Sequence, residues 1–288
     1  MCRLQHPAAG LASRPGTGRS GAAGPYTGGM DPGTPPPRSR GIYLLPNLFT
    51  TCGLFAGFYA IIAAANSHFT AAAVAVFVAG VMDGIDGRVA RLTGTSSAFG
   101  VQYDSLADLV SFGLAPALVM YHWSLSALKF DGGAMGRVGW AVAFLYAACA
   151  ALRLARFNTQ VGIVDKRWFV GLASPAAAGL MMSFVWAFAD GELGWSGEEL
   201  RYVALAVTLL AGLLMVSQLR YWSFKGSGEG GAKADRVPFA VLLAVPVVLA
   251  MLVVDPPRVL LVVGVLYALS GPVMAAWQRL RPPAGSAG

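Results

Sequence analysis

Four aspartates, Asp83, Asp86, Asp104 and Asp108, fall within the stretch DGIDGRVARLTGTSSAFGVQYDSLAD, between two long apolar runs. Residues three or four apart share a helix face. Asp83, Asp86, Gly87 and Ala90 therefore form one stripe, and Gly100, Asp104 and Asp108 another. A turn over residues 93–99 would let the two stripes converge. Four carboxylates that close repel one another, so something cationic should sit among them. Oxygen ligands with no accompanying His or Cys suit a hard divalent ion, Mg²⁺ or Mn²⁺, rather than zinc. Gly87, Ala90 and Gly100 keep both stripes low, so a bulky ligand could approach the backbone. Arg88 and Arg91 stand where they could neutralise phosphate. The competing reading is a polar turn whose acids pair with those two arginines.

The elements that must position these acids are membrane helices. Of 288 residues, 56% are hydrophobic and 12% charged, and the mean hydropathy is +0.60. Such a chain is too apolar for a soluble domain and reads as an all-α, polytopic integral membrane protein. About eight runs are long enough to cross a bilayer: 44–65, 70–88, 100–123, 138–157, 171–189, 200–219, 237–254 and 258–280. The acids close the second run and open the third, where Ser111, Phe112, Gly113 and Pro116 suggest close packing or a kink. Carboxylates at such depth are rare, which favours a site over a simple turn. Cys2, Cys52 and Cys149 are too scattered for a zinc site or a disulfide framework. His68 and His122 sit at run ends and read as interfacial residues.

With both termini cytoplasmic, 17 Lys and Arg residues lie on the cytoplasmic side and four, Lys129, Arg137, Arg201 and Arg258, outside. This asymmetry follows the positive-inside rule and puts the acids on the cytoplasmic side of a cell, or inner, membrane. The net charge of +7 then needs no nucleic-acid partner. Residues 1–40, rich in Gly, Pro and Arg, read as a disordered basic tail attracted at most to anionic lipid. The remaining organisation is a membrane domain over 41–225, a Gly-rich cytoplasmic loop over 226–236, two further spans over 237–280 that look like scaffold, and a short tail over 281–288.

Asp83, Asp86, Gly87, Ala90, Arg91, Gly100, Asp104 and Asp108, at these spacings, resemble the signature of the CDP-alcohol phosphatidyltransferase family, with every fixed position filled. The segments LRLARFN (152–158), GLASPAAAG (171–179) and SQLRYWSFK (217–225) resemble its phosphatidylserine synthase branch. The resemblance implies that an alcohol attacks the phosphate of CDP-diacylglycerol, forming a phospholipid and releasing CMP; the branch implies L-serine as that alcohol. It further implies two metal ions held by Asp83, Asp86, Asp104 and Asp108, with Asp108 also taking the proton from the attacking hydroxyl. Gly87, Ala90, Arg91 and Gly100 would line the CDP-lipid site. Pro46 and Asn47 to Thr50 resemble the family's PNxxT stretch, so Asn47 and Thr50 would contact the nucleotide, although both also suit helix capping. Arg153, Arg156 and Asn158 become candidates for the lipid phosphate or the serine carboxylate. Alone, the two arginines would suit a capped, snorkelling helix end equally well. The family also implies a homodimer. The same chemistry with glycerol phosphate, inositol phosphate or choline as acceptor is the nearest alternative. A divalent-cation transporter is the remote one.

Overall fold

The computed structural model describes residues 44–94, 97–159, 168–189, 194–222, 246 and 250–280. The basic tail, the 226–236 loop, the C-terminal tail and most of the expected seventh span lie outside the described residues. Among the described residues, five helices are long and apolar enough to cross a membrane. They are α1 (Leu44–Ala65), α2 (Phe69–Thr93), the continuous Ala98–Trp123 rod, α5 (Gly133–Thr159) and α8 (Pro256–Leu280). The other two described apolar helices, α6 (Ser174–Ala189) and α7 (Arg201–Val216), have 16 residues each. At a rise of 1.5 Å per residue that is about 24 Å, short of a ~30 Å hydrocarbon core.

Small residues explain how the helices nest. Ala56, Ala60, Ala63 and Ala64 of α1 and Ala72, Ala73, Ala75 and Ala79 of α2 are all buried. Without a bulky side chain between them the two backbones approach closely, which is how membrane helices gain dispersion contacts when lipid is as apolar as leucine. Around this seam Met120, Met181, Met182 and Met215 fill the irregular gaps. Trp123 meets Phe184 edge to face, with ring centroids 5.5 Å apart.

The elements depart from the sequence expectation in three ways that matter for the site. First, α2 continues two turns beyond Asp86 to Thr93 and stops at Gly94, whose φ of 61° is the left-handed conformation of a helix C-cap. Asp83 and Asp86 thus sit within the helix rather than at its end. Second, the third span is composite: α3 (Ala98–Asp108), a π-helical turn over Leu109–Leu114 and α4 (Ala115–Trp123). Third, two strands that the runs of apolar residues concealed, β1 (Trp168–Val170) and β2 (Arg220–Trp222), pair antiparallel with Phe169 opposite Tyr221. The connection after Trp123, between the third and fourth expected spans, holds a 3₁₀ helix, Leu125–Asp131.

Candidate active site

The acids are brought together by two local devices. Ser97 caps α3 by accepting a 3.0 Å hydrogen bond from the Gly100 amide, as a serine N-cap should. This starts the helix so that Asp104 and Asp108 face α2. The π turn that follows Asp108 adds a residue to the turn and shifts the helical phase by about 100°. The acidic stripe can therefore face the cleft while Ala115, Val119, Met120 and Trp123 remain in the core. Tyr146 donates to the Phe112 carbonyl within that turn at 3.0 Å, giving the widened turn a polar partner where no water is at hand. Ser111 donates to the Gly53 carbonyl at 3.2 Å. A Cβ at Gly57 would meet the Ser111 Oγ at 2.5 Å, so glycine there is what lets α1 reach the turn.

One carboxylate oxygen each from Asp83, Asp104 and Asp108 lies within 4.8 Å of the others. Together with Asp86, Thr50, Gly53, Ala79 and Ser111 they line a cleft between α1, α2 and the third span. Arg88 and Arg91 are exposed, and neither belongs to the ion pairs formed among the described residues, Arg201–Asp131 and Arg258–Asp255. Among the described residues, then, no ion pair of the polar-turn kind joins those arginines to the acids. The donor set is all carboxylate oxygen, half-buried and clustered. These residues fit a hard divalent ion.

Asp86 is held apart from that trio. It is buried at 4% exposure, and Thr50 donates to its Oδ2 at 2.7 Å. Thr50, expected to touch a nucleotide, thus commits its hydroxyl proton to orienting a carboxylate. Asn47 stands nearer the mouth: a Cβ at Gly100 would lie 3.5 Å from its Oδ1, so the bare glycine admits the amide between α1 and α3. At Gly87 a Cβ would meet nothing within 4 Å, so the low stripe does border open space. Ala90 is half-buried beside it.

At the α5 end, Arg153 Nη1 donates to Ser174 Oγ at 2.8 Å, and Arg156 lies one turn further on, half exposed. Asn158 is taken up by α3: its Nδ2 donates to Ser105 Oγ at 3.0 Å. That bond ties α5 to the residue after Asp104. Two participants had no sequence signal of their own. Tyr103 OH lies 2.9 Å from Thr51 Oγ1, and since Thr51 donates to the Asn47 carbonyl at 2.7 Å, the tyrosine is the donor. Ser174 was legible only as part of the GLASPAAAG segment.

Helices of membrane-spanning length around a cleft that gathers four aspartates define a multi-pass membrane protein with a polar site between its helices. The chain belongs to the CDP-alcohol phosphatidyltransferase family, whose profile matches residues 43–216, from the start of α1 to the end of α7. Among its relatives, a CDP-diacylglycerol--serine O-phosphatidyltransferase of Helicobacter pylori is 40% identical over 184 residues, 64% of this chain and 74% of the relative. The Mycobacterium tuberculosis protein of the same name is 36% identical over 62% of this chain and 64% of its own length. An archaetidylserine synthase of Methanothermobacter thermautotrophicus is 32% identical over 65% of this chain and 73% of its own length.

Proposed function

We propose that the chain is a membrane-embedded enzyme that transfers the phosphatidyl group of CDP-diacylglycerol to the hydroxyl of L-serine, giving phosphatidylserine and CMP. The observation that carries this reading is the convergence of Asp83, Asp104 and Asp108 within 4.8 Å on the helices the family shares. The names of the relatives supply the acceptor.

Asp83, Asp86 and Asp104 are the metal ligands of this reading, with Asp108 shared between metal and proton transfer. The ions, Mg²⁺ or Mn²⁺ and two in number, would supply Lewis-acid stabilisation of charge on the pyrophosphate. Thr50 fixes the rotamer of Asp86 through their 2.7 Å bond, as outer hydrogen bonds commonly orient metal-binding carboxylates. Asn47 at the mouth, held by the Tyr103–Thr51 relay, contacts the nucleotide. Gly87 and Ala90 leave room for the pyrophosphate, and the exposed Arg91 guanidinium meets its charge. Asp108 accepts the serine hydroxyl proton as that oxygen attacks phosphorus, and CMP departs with the electrons of the broken P–O bond. Arg153 is placed to receive the acceptor, with Arg156 further out; Asn158 acts by fixing α3. On this reading the distribution of basic residues favours a cleft that faces the cytoplasm at the inner membrane, and the working unit is a homodimer.

The test is CMP release by the purified protein in detergent, with CDP-diacylglycerol and Mn²⁺ or Mg²⁺, with and without L-serine, and identification of the lipid. Serine-dependent CMP together with phosphatidylserine is the expected result. CMP formed only with glycerol phosphate, inositol phosphate or choline would replace the acceptor. No CMP with any alcohol, joined to metal flux in sealed vesicles, would replace the enzyme with a transporter.

A further inference from the structure

The π turn that phases the acids has a local cause and a remote keeper. In a regular α-helix the Phe112 carbonyl would accept from the amide of residue 116, and residue 116 is a proline. Proline has no N–H to give, and its ring crowds the carbonyl four residues back. The turn widens instead: the Ala115 amide reaches back five residues to the Val110 carbonyl, a π-helical bond. Tyr146 of α5 then donates to the Phe112 carbonyl at 3.0 Å. This tyrosine is 1% exposed and is gripped from two sides. A Cβ at Gly113 would lie 3.2 Å from the Ala150 Cβ, so glycine lets the turn press on α5. A Cβ at Gly212 would lie 3.3 Å from the Tyr146 Cα, so α7 backs the tyrosine closely.

What the turn controls follows from helix geometry. It takes up one residue without advancing the helix, which is about 100° of rotation. Were it to tighten into an α turn, the helix on one side of it would have to rotate. The α4 side is fixed, with Ala115, Val119, Met120 and Trp123 all buried. By contrast α3 buries only Ala107, so α3 is the side that would turn. Each of its residues would move back one place on the helical lattice. Ser105 and Leu109 would then occupy the positions that Asp104 and Asp108 hold in the cleft.

We propose that Tyr146 is a positioning residue for the metal ligands. By holding the Phe112 carbonyl that Pro116 cannot pair, it keeps the π turn, and so keeps Asp104 and Asp108, rather than Ser105 and Leu109, turned toward Asp83. The inference rests on the metal-ligand reading of those acids above. Leaving a buried carbonyl without its donor shifts an equilibrium by about 5- to 100-fold, and the π form loses that much relative to the α form when the hydroxyl is removed. Only in the π form do the three carboxylates meet, so a divalent ion selects that form. Ser111, donating to the Gly53 carbonyl at 3.2 Å, is a second tie on the same turn.

The test titrates Mn²⁺ alone into the full-length protein in detergent and reads bound ion by electron paramagnetic resonance, with Tm in EDTA and CMP release measured separately. Tyr146→Phe is expected to weaken Mn²⁺ binding about 3- to 30-fold, while its CMP release climbs back toward the wild-type rate at saturating Mn²⁺. The double variant Tyr146→Phe/Pro116→Ala, whose residue 116 can pair the Phe112 carbonyl in an α turn, should bind Mn²⁺ more weakly still and melt no lower than the single variant. Adding Ser105→Asp to that double variant should recover affinity about tenfold, since residue 105 then stands where Asp104 stood. In otherwise wild-type protein the same substitution should give no gain. Should Tyr146→Phe not fold, Pro116→Ala alone decides, and weaker binding at an equal or higher Tm supports the inference. Wild-type protein that binds Mn²⁺, with affinity unchanged in the Tyr146 and Pro116 variants whatever their Tm, overturns it; so does weaker binding that Ser105→Asp leaves unrecovered. Wild-type protein that binds no divalent ion overturns the metal reading itself, which is a distinct failure.

Discussion

The two ends of the helix bundle handle charge in opposite ways. At the end formed by the 3₁₀ turn and the start of α7, Arg201 clasps Asp131 with two hydrogen bonds, Nε to Oδ2 at 2.5 Å and Nη2 to Oδ1 at 2.8 Å, and gives Nη1 to the Glu198 carbonyl at 2.8 Å. Ser124 closes the same corner by donating to the Gly197 carbonyl at 2.5 Å. At the start of α8, Asp255 pairs with Arg258 at 2.9 Å. At the other end three carboxylates crowd within 4.8 Å, while Arg88 and Arg91 stand out in solvent. One end satisfies its charges with the chain's own groups and so serves the fold. The other gathers carboxylates close together, a stability cost of the kind tolerated where a site must bind something.

The sharpest way to break this contrast is to remove charge from the acidic end. Asp108→Asn keeps shape and hydrogen-bonding size but removes the base, and its turnover should fall by about 10²–10⁴-fold. Near wild-type turnover in a CMP-release assay would end the role given to Asp108. Chelation with EDTA should likewise abolish turnover, and Mg²⁺ or Mn²⁺ should restore it.

Stability should move in the other direction. In EDTA, Asp104→Asn removes one of three mutually repelling carboxylates, so the variant should melt higher than wild type, by about 2–4 °C for each kcal/mol relieved. Adding Mg²⁺ or Mn²⁺ should raise the wild-type Tm through binding linkage and leave the variant nearly unmoved. A variant that melts lower in EDTA would mean that the cluster is a structural element after all.

Much of that end was legible before any coordinates. Spacing alone put Asp83 and Asp104–Asp108 on facing stripes, because the period of a helix is fixed and the turn between them is short. Spacing could not assign partners. Thr50 and Asp86 are 36 positions apart, and Asn158 and Ser105 are 53 apart; such pairs depend on how helices dock. The π turn was foreshadowed by Ser111, Phe112, Gly113 and Pro116, but its phase shift requires knowing which face meets α1. The ribbon was invisible because three-residue strands carry too little alternation to stand out beside long apolar runs.

A subtler test addresses the mouth of the cleft. Tyr103→Phe deletes the donor to Thr51 and loosens the α1–α3 tie beside Asn47, while its ring can keep its stacking on Phe99, whose centroid is 6.0 Å away. One neutral hydrogen bond contributes about 0.5–1.5 kcal/mol, so the KM for CDP-diacylglycerol should rise about 2- to 10-fold with kcat little changed. A fall in kcat at unchanged KM would place Tyr103 in the chemistry instead of the positioning of the nucleotide.

The smallest effect belongs to the satisfied end. The Arg201 guanidinium beside Asp131 holds its carboxyl below the ordinary value of 3.8. A carboxyl depressed in the folded state stabilises the fold above its unfolded pKa, and that contribution fades as pH falls through the folded pKa. The Tm deficit of Asp131→Asn should therefore be constant from about pH 5 upward and shrink below about pH 4. The pair is exposed, so salt should also shrink it. Turnover at neutral pH should be unchanged, because no residue of the cleft touches this corner. A deficit that grew on acidification would mean that Asp131 is protonated in the folded protein and that the clasp is not an ion pair, and the contrast between the two ends would dissolve.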